Sequence, residues 1–238
     1  MIHGAKSQVR QAIVLAGGQG TRMRPLTEDS PKALIPIAGK AILDWQLEWL
    51  AASGIERVVI SCGYLAEVLD KHVREGSWPL EIELAVEPEA LGRGGGLRFA
   101  AGRLPFEGER WLAFNGDVLT RFSLADFIDR HHEAEATATI ALAQYTTSWG
   151  IAHLDDADRI RGFVQSPALP YWINGGGYVF EPEIVELLPE RGDHEDTTFP
   201  RLAVDGRLAG FKIDGYWRGV DTVKDVKEAS EEVARMGW

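Results

Sequence analysis

The sequence predicts an α/β fold, a mixed and mainly parallel sheet with helices on both faces. Three observations carry that prediction. A short apolar run, Ala12 to Ala16, is too brief for a helix and ends at paired glycines, as a buried strand does. Apolar strand-like runs then alternate with segments of helical periodicity, the pattern of strands joined by crossover helices. From about residue 136 the pattern shifts to short β-rich runs separated by turns, which predicts a small β-lobe inserted into the same domain.

Each element follows from its own residues. Ile42 to Ser53 carries Leu43, Leu47, Trp49 and Leu50 at helical spacing, and Gly54 suits the helix end. Arg57 to Cys62 is β-branched in its middle and reads as a buried strand. Leu65 to Arg74 is the next helix, and Leu80 to Val86 alternates apolar and acidic residues as a strand with one wet face does. Gly92 to Gly102 reads as a glycine-entered helix, Arg110 to Phe114 as a strand, and Leu124 to His132 as a helix. Beyond it, strands are expected at Ala136–Ala143, Gly150–His153, Ile160–Val164, Gly177–Phe180 and Leu208–Ile213. Short helices are expected at Glu183–Leu188 and Phe199–Val204, with a closing helix at Val223–Met236. No repeat or linker interrupts this, so one domain is read over 1–238, with halves at about 11–135 and 136–221 and a C-terminal helix at 222–238.

Composition narrows the function. With 238 residues, 45% hydrophobic and 26% charged, the chain can bury a large core. A net charge of −11 argues against binding a nucleic acid polymer or an anionic membrane with the whole surface. No apolar run approaches twenty residues, and the polar start MIHGAKSQVRQ lacks the apolar core of a signal peptide, so a cytoplasmic protein is expected. The single cysteine, Cys62, forms no internal disulfide and reads as a buried thiol. The six histidines show no ligand spacing: His131 and His132 point apart on a helix, and His194, in an acidic loop, reads as solvated. Trp45, Trp49 and Trp111 read as core, whereas Trp149, Trp172 and Trp217 are candidates to wall a pocket.

The sharpest local signal is residues 12–40. Gly17, Gly18 and Gly20 strip side chains from the turn after the first strand, so backbone N–H groups can approach a ligand. Arg22, Arg24, Lys32 and Lys40 follow, against only Glu28 and Asp29. A glycine loop with fixed cations at the carboxyl end of a strand suits a polyphosphate. No Lys-Ser/Thr pair follows the glycines, which excludes a P-loop, and Met23 stands where a dinucleotide fingerprint needs its third glycine. Asn115-Gly116-Asp117 follows the apolar strand WLAF, so a carboxylate faces the same crevice; a solvated turn is the alternative. Mg²⁺ prefers such a site, one or two carboxylates plus phosphate oxygens.

LAGGQGTRMRPLT and PKALIPIAGKAIL resemble the signature of the sugar-1-phosphate nucleotidyltransferases, with Met23 for the usual Leu and Ala41 for the usual Pro. The resemblance implies a Rossmann-like fold of the nucleotide-diphospho-sugar transferase type, its first half binding nucleotide and its second half binding sugar. It implies that Leu15, Ala16, Gly17, Gly18, Gly20 and Thr21 hold the nucleotide, with Arg22 on the departing phosphates and Lys32 on the α-phosphate. Glu87 and Gly92, in a segment similar to the family's base-reading one, would contact the base, with Arg93 in place of its Thr. Asp117 would bind Mg²⁺. GYWRGVDTVKDV resembles the family's C-terminal segment with Gly219 and Asp221 exchanged, as in glucose-1-phosphate cytidylyltransferases, so Asp221 is the second candidate ligand; the alternative is a helix N-cap.

For the acceptor, Asn174 and Gly175 resemble the family's sugar-contacting strand, Gly150 a glycine that lets the sugar approach, and Asn115 and Arg93 border it. Where the family has Glu-Lys-Pro, this chain has Gln165-Ser166-Pro167. Either Arg93 or another cation holds the acceptor phosphate, or the substrate is unusual, or sugar binding is weak. The expected activity is Mg²⁺-dependent joining of a nucleoside triphosphate, GTP by preference, to a mannose- or heptose-like 1-phosphate. Cytidylyl or thymidylyl transfer to a hexose 1-phosphate, and a non-catalytic sugar-nucleotide-binding subunit, are the alternatives, and a homo-oligomer stays open.

Overall fold

The computed structural model describes residues 9–238; residues 1–8, most of the polar start, lie outside it. In the first half the chain runs β1 (Gln11–Leu15), β2 (Pro36–Ile37), β3 (Lys40–Ala41), α1 (Ile42–Ala52), β4 (Arg57–Cys62), α2 (Ala66–Glu75), β5 (Glu81–Val86), α3 (Gly92–Ala101), β6 (Trp111–Asn115), β7 (Val118–Arg121) and α4 (Leu124–Ala134). It continues through β8 (Ala138–Thr146), β9 (Gly150–Leu154), β10 (Ile160–Gln165), β11 (Ala168–Phe180), α5 (Ile184–Leu187), α6 (Thr198–Val204), β12 (Leu208–Lys212), β13 (Tyr216–Gly219) and α7 (Val223–Met236).

Seven strands form the central sheet in the order β12-β8-β11-β6-β1-β4-β5. All run parallel except β11, which is antiparallel to both β6 and β8. Because β1 is apolar from Ala12 to Leu15 and β6 from Trp111 to Phe114, they can lie mid-sheet with both faces covered. Leu43, Leu47 and Leu50 of α1, Leu69 of α2 and Phe127 of α4 fill the core on one face. Leu97 and Ala100 of α3, Ile184 of α5 and Leu202 of α6 fill the other. A third, smaller core joins α7 through Ala229 and Val233 to Met23, Ile37, Leu119 and Val220. Met23 is fully buried there, an unbranched side chain that fits an irregular gap. Cys62 is buried at the end of β4, and burial pushes its thiol up to about 11.

Two features depart from the expected elements. β11 runs for 13 residues instead of four, because Asn174 to Gly177 bulges yet stays in the ladder with β8; glycines hide a strand from propensity but open room for a bulge. The short ribbon β7–β13, pairing Val118 with Gly219, was invisible to periodicity at four residues each. β9 and β10 form a separate antiparallel hairpin. No helix among the described residues is long and apolar enough to cross a membrane.

Candidate active site

Parallel strands present their carboxyl ends on one edge, and the loops after β1, β5 and β6 meet there. The β1 loop is anchored at its root by the Ala16 N–H donating to the Ser61 carbonyl at 2.7 Å. Gly20 has φ +59°, and the Thr27 hydroxyl donates to its carbonyl at 2.8 Å, which fixes the turn into Thr21–Met23. A side chain at Gly18 would meet nothing within 4 Å, so packing does not demand glycine there, while an approaching ligand would. Gly17 lies against the Glu87 carboxylate, which accepts from the Ser61 hydroxyl (2.8 Å) and the Leu91 N–H (3.1 Å). Glu87 therefore ties the end of β4 to the loop after β5, beside the glycine loop.

Across the edge, the Gly116 N–H donates to the Leu15 carbonyl at 2.8 Å, and this turns Asp117 toward the glycine loop. The β7–β13 ribbon brings in Asp221, whose neighbour Val220 donates its N–H to the Asp117 carbonyl at 2.9 Å. The Lys32 ammonium lies between the two carboxylates, 2.7 Å from Asp117 Oδ2 and 2.7 Å from Asp221 Oδ1. Arg22, largely exposed, adds a bond to Asp221 Oδ1 at 2.9 Å. Four residues singled out by sequence thus meet in one cluster. Asp221 is not the helix cap: Thr222 caps α7 in a capping box with Asp225, and Asp225 also accepts from the Asp221 N–H at 3.1 Å.

The two carboxylates already bracket one cation, so their chemistry fits a hard divalent ion completed by phosphate oxygens. No group of three or more His, Cys, Asp or Glu side chains with metal-ligand geometry exists among the described residues.

The remaining candidates spread away from this cluster. Gly92, at φ +78°, packs against the Gly192 carbonyl at the start of α3. Arg93 is clamped by Asp193, through Nε, Nη2 and its backbone N–H, and by Glu195 through Nη1 at 2.8 Å. Asn174 donates to the same Glu195 oxygen at 2.9 Å and accepts from the Gly176 N–H. Asn115 lies beside Gly176, and its buried Oδ1 accepts no hydrogen bond among the described residues. Gly175 accepts at its carbonyl from the Trp217 indole N–H at 2.7 Å. Gly150 and Gln165 pair with each other on the β9–β10 hairpin, where the Gln165 side chain bonds the Ser148 carbonyl and the Ser166 hydroxyl. Trp149 is 77% exposed on that hairpin, and Trp172 lies under the Lys212 ammonium.

His194 is a correction. Its acidic neighbours suggested solvent, but the ring is fully buried between Tyr178 and Phe199, because the loop turns it inward while Asp193 and Glu195 reach Arg93. Burial, reinforced by Arg93, pulls its pKa down to about 4. Sequence reasoning missed Asp193 and Glu195, about a hundred residues from Arg93; the only local signal was the acidic run itself.

The sequence profile described as nucleotidyl transferase matches residues 11–236. Mannose-1-phosphate guanylyltransferase of Mycobacterium tuberculosis is 35% identical over 233 residues, 94% of this chain and 64% of that protein. Mannose-1-phosphate guanylyltransferase catalytic subunit beta of Danio rerio is 32% identical over 223 residues, 90% of this chain and 62% of that one. The chain thus spans less than two thirds of the length of these curated relatives. Among solved structures, HddC from Yersinia pseudotuberculosis superposes with a TM-score of 0.74 at 23% identity, over 94% of this chain and 99% of that one. A UDP-glucose pyrophosphorylase complexed with UDP-glucose gives 0.72 at 16% identity, over 96% and 100%. The glycine loop closed by an acidic pair therefore sits in a shared fold, and the chain belongs to the nucleotidyl transferase family.

Proposed function

We propose that this chain joins GTP to a mannose-like sugar 1-phosphate and releases pyrophosphate, with Mg²⁺ held by Asp117 and Asp221. The observation that carries the reading is the seating of Lys32 between those two carboxylates, beside the glycine loop. The guanine and mannose preferences rest on the names of the relatives at 30–35% identity. An acceptor phosphate oxygen attacks the α-phosphorus, a new P–O bond forms, and the bond to the β-phosphate bridging oxygen breaks as pyrophosphate leaves. No protein nucleophile is needed, since the acceptor is already anionic. Bound Mg²⁺ would neutralise phosphate charge and align the reacting oxygens.

The chain's own groups do the positioning. Backbone N–H groups of Leu15 to Thr21 line the polyphosphate, Arg22 takes the departing phosphates, and Lys32 swings from its carboxylates to the α-phosphate. Glu87 and Gly92 frame the base, while Asn115, Asn174, Gly175, Gly150 and Gln165 face the sugar. Arg93 acts here through Glu195. A cytoplasmic setting accords with these substrates.

A pyrophosphate-release assay across the four common triphosphates and a panel of sugar 1-phosphates, with and without EDTA, tests this. GTP with mannose 1-phosphate is expected to lead, and EDTA to abolish turnover. The position of Asp221 favours CTP as the second reading, so a CTP preference would replace the guanylyl assignment. Nucleotide binding without turnover of any pair would point to a binding subunit instead.

A further inference from the structure

We propose that Glu195 is a specificity-determining residue, its carboxylate accepting hydrogen bonds from hydroxyls of the acceptor sugar in place of the charge absent at Gln165. The inference rests on the nucleotidyl-transfer reading above. Glu195 is bonded one-sidedly. Its Oε1 accepts from Arg93 Nη1 (2.8 Å), Asn174 Nδ2 (2.9 Å) and, at 3.4 Å, the Tyr178 hydroxyl. Its Oε2 has no hydrogen-bond partner within the chain among the described residues, though the side chain is only 27% exposed.

Structural bonding accounts for one oxygen only. Asp193 takes the Arg93 Nε, Nη2 and backbone N–H, and Glu195 Oε1 takes the remaining Nη1, which leaves Oε2 outside the network. Adding Glu195 leaves the triad with one excess negative charge in a half-buried place. Burial accordingly pushes the Glu195 carboxyl above its usual range, so holding the group there is costly. A ligand donor on Oε2 offsets that cost.

The location fits. From Glu195 the contacts run through Asn174 to Gly176 and then to Asn115, two residues before Asp117. A sugar whose 1-phosphate lies at Asp117 would extend along that line. Arg93 then serves as a positioning residue that fixes the carboxylate, which explains its two acidic partners better than phosphate binding does. Neighbouring hydroxyls match a carboxylate, and an acceptor left unpaired once the sugar covers it rejects analogues lacking them.

The test compares wild type with E195Q, which keeps the shape and a carbonyl oxygen for Arg93 and Asn174. Steady-state KM values for GTP and for mannose 1-phosphate are measured, with thermal unfolding as the folding check. E195Q is expected to raise the acceptor KM about 10- to 100-fold and to leave the GTP KM within about twofold. In the wild type, one of the 2-, 3-, 4- or 6-deoxy acceptors should show a comparable loss, and E195Q should no longer distinguish it from the parent sugar. An unchanged acceptor KM, or parallel changes in both KM values, overturns the proposal.

If the wild type turns nothing over, saturation-transfer NMR with mannose 1-phosphate reads the contact directly. Binding lost in E195Q supports the proposal, and equal binding in both proteins sinks it while the failed turnover counts only against catalysis. A wild type that binds no sugar 1-phosphate overturns both readings.

Discussion

Replacing Lys32 by Met should make the nucleotide-free protein bind a divalent cation more tightly while it slows turnover. Lys32 Nζ is 2.7 Å from one oxygen of each of Asp117 and Asp221, so those oxygens are at most twice that distance apart. Without the ammonium, two carboxylates about 5 Å apart repel by about 1–3 kcal/mol, for effective dielectrics between water and a protein surface. Their side chains are 41% and 44% exposed, so screening favours the lower end. A divalent ion then relieves repulsion instead of displacing a lysine, and about 1 kcal/mol corresponds to roughly fivefold in affinity. Titration of nucleotide-free K32M with Mn²⁺, following free ion by electron paramagnetic resonance, should show tighter binding than wild type by at least that factor. The same variant should lose about 10²–10³ in kcat, because in the proposed reaction the α-phosphate loses a donor. Equal or weaker Mn²⁺ binding in K32M would refute the claim that Asp117 and Asp221 form one cation site.

Three further perturbations test the frame. Gly92→Ala places a Cβ 2.8 Å from the Gly192 carbonyl at φ +78°, so it should cost about 1–3 kcal/mol, read as a fall in the thermal midpoint. Asp225→Ala removes both the α7 capping box and the acceptor for the Asp221 N–H; a loss of about 1 kcal/mol in urea unfolding and a lower kcat are expected. For His194, the folded pKa of about 4 lies below the ordinary 6.5, so the unfolded chain binds the extra proton between those values. Stability from the neutral ring is therefore complete above pH 6.5 and is lost as pH falls toward 4, by about 3 kcal/mol at most. Relative to His194→Leu, wild-type stability in urea should decline through that window, and parallel declines would contradict the assignment.

Much of the fold could be read because local chemistry and final structure agree. The closing helix is found at Val223–Met236 as expected, since Thr222 and Asp225 carry their own start signal and the apolar spacing does the rest. β4 likewise matches its β-branched run. Where pairing is a tertiary event, the sequence is mute: β7 and β13 are too short to show a period, and only their docking on α1 and α7 makes them a ribbon.

That ribbon resolves the exchanged Gly219 and Asp221. The strand ends at Gly219, and the Val220 N–H, bonded to the Asp117 carbonyl at 2.9 Å, holds the next residue beside that carboxylate. Asp221 thus reaches Lys32 at the same 2.7 Å as Asp117 does.

The two halves of the candidate site differ in legibility for a related reason. A polyphosphate is met by backbone N–H groups of one continuous loop, so glycines within a few residues of each other announce it. A sugar is met by side chains that converge from separate elements; the proposed set here, Asn174 of β11, Glu195 before α6 and Arg93 of α3, is joined by hydrogen bonds that no local spacing announces. Gln165-Ser166 therefore reads in sequence as damage, while the carboxylate proposed to take its place, Glu195 with one unbonded oxygen, becomes visible only when the chain is folded. Acceptor specificity can move between elements without leaving a motif, because what must be kept is a hydrogen-bond acceptor at a point in space and not at a position in the chain.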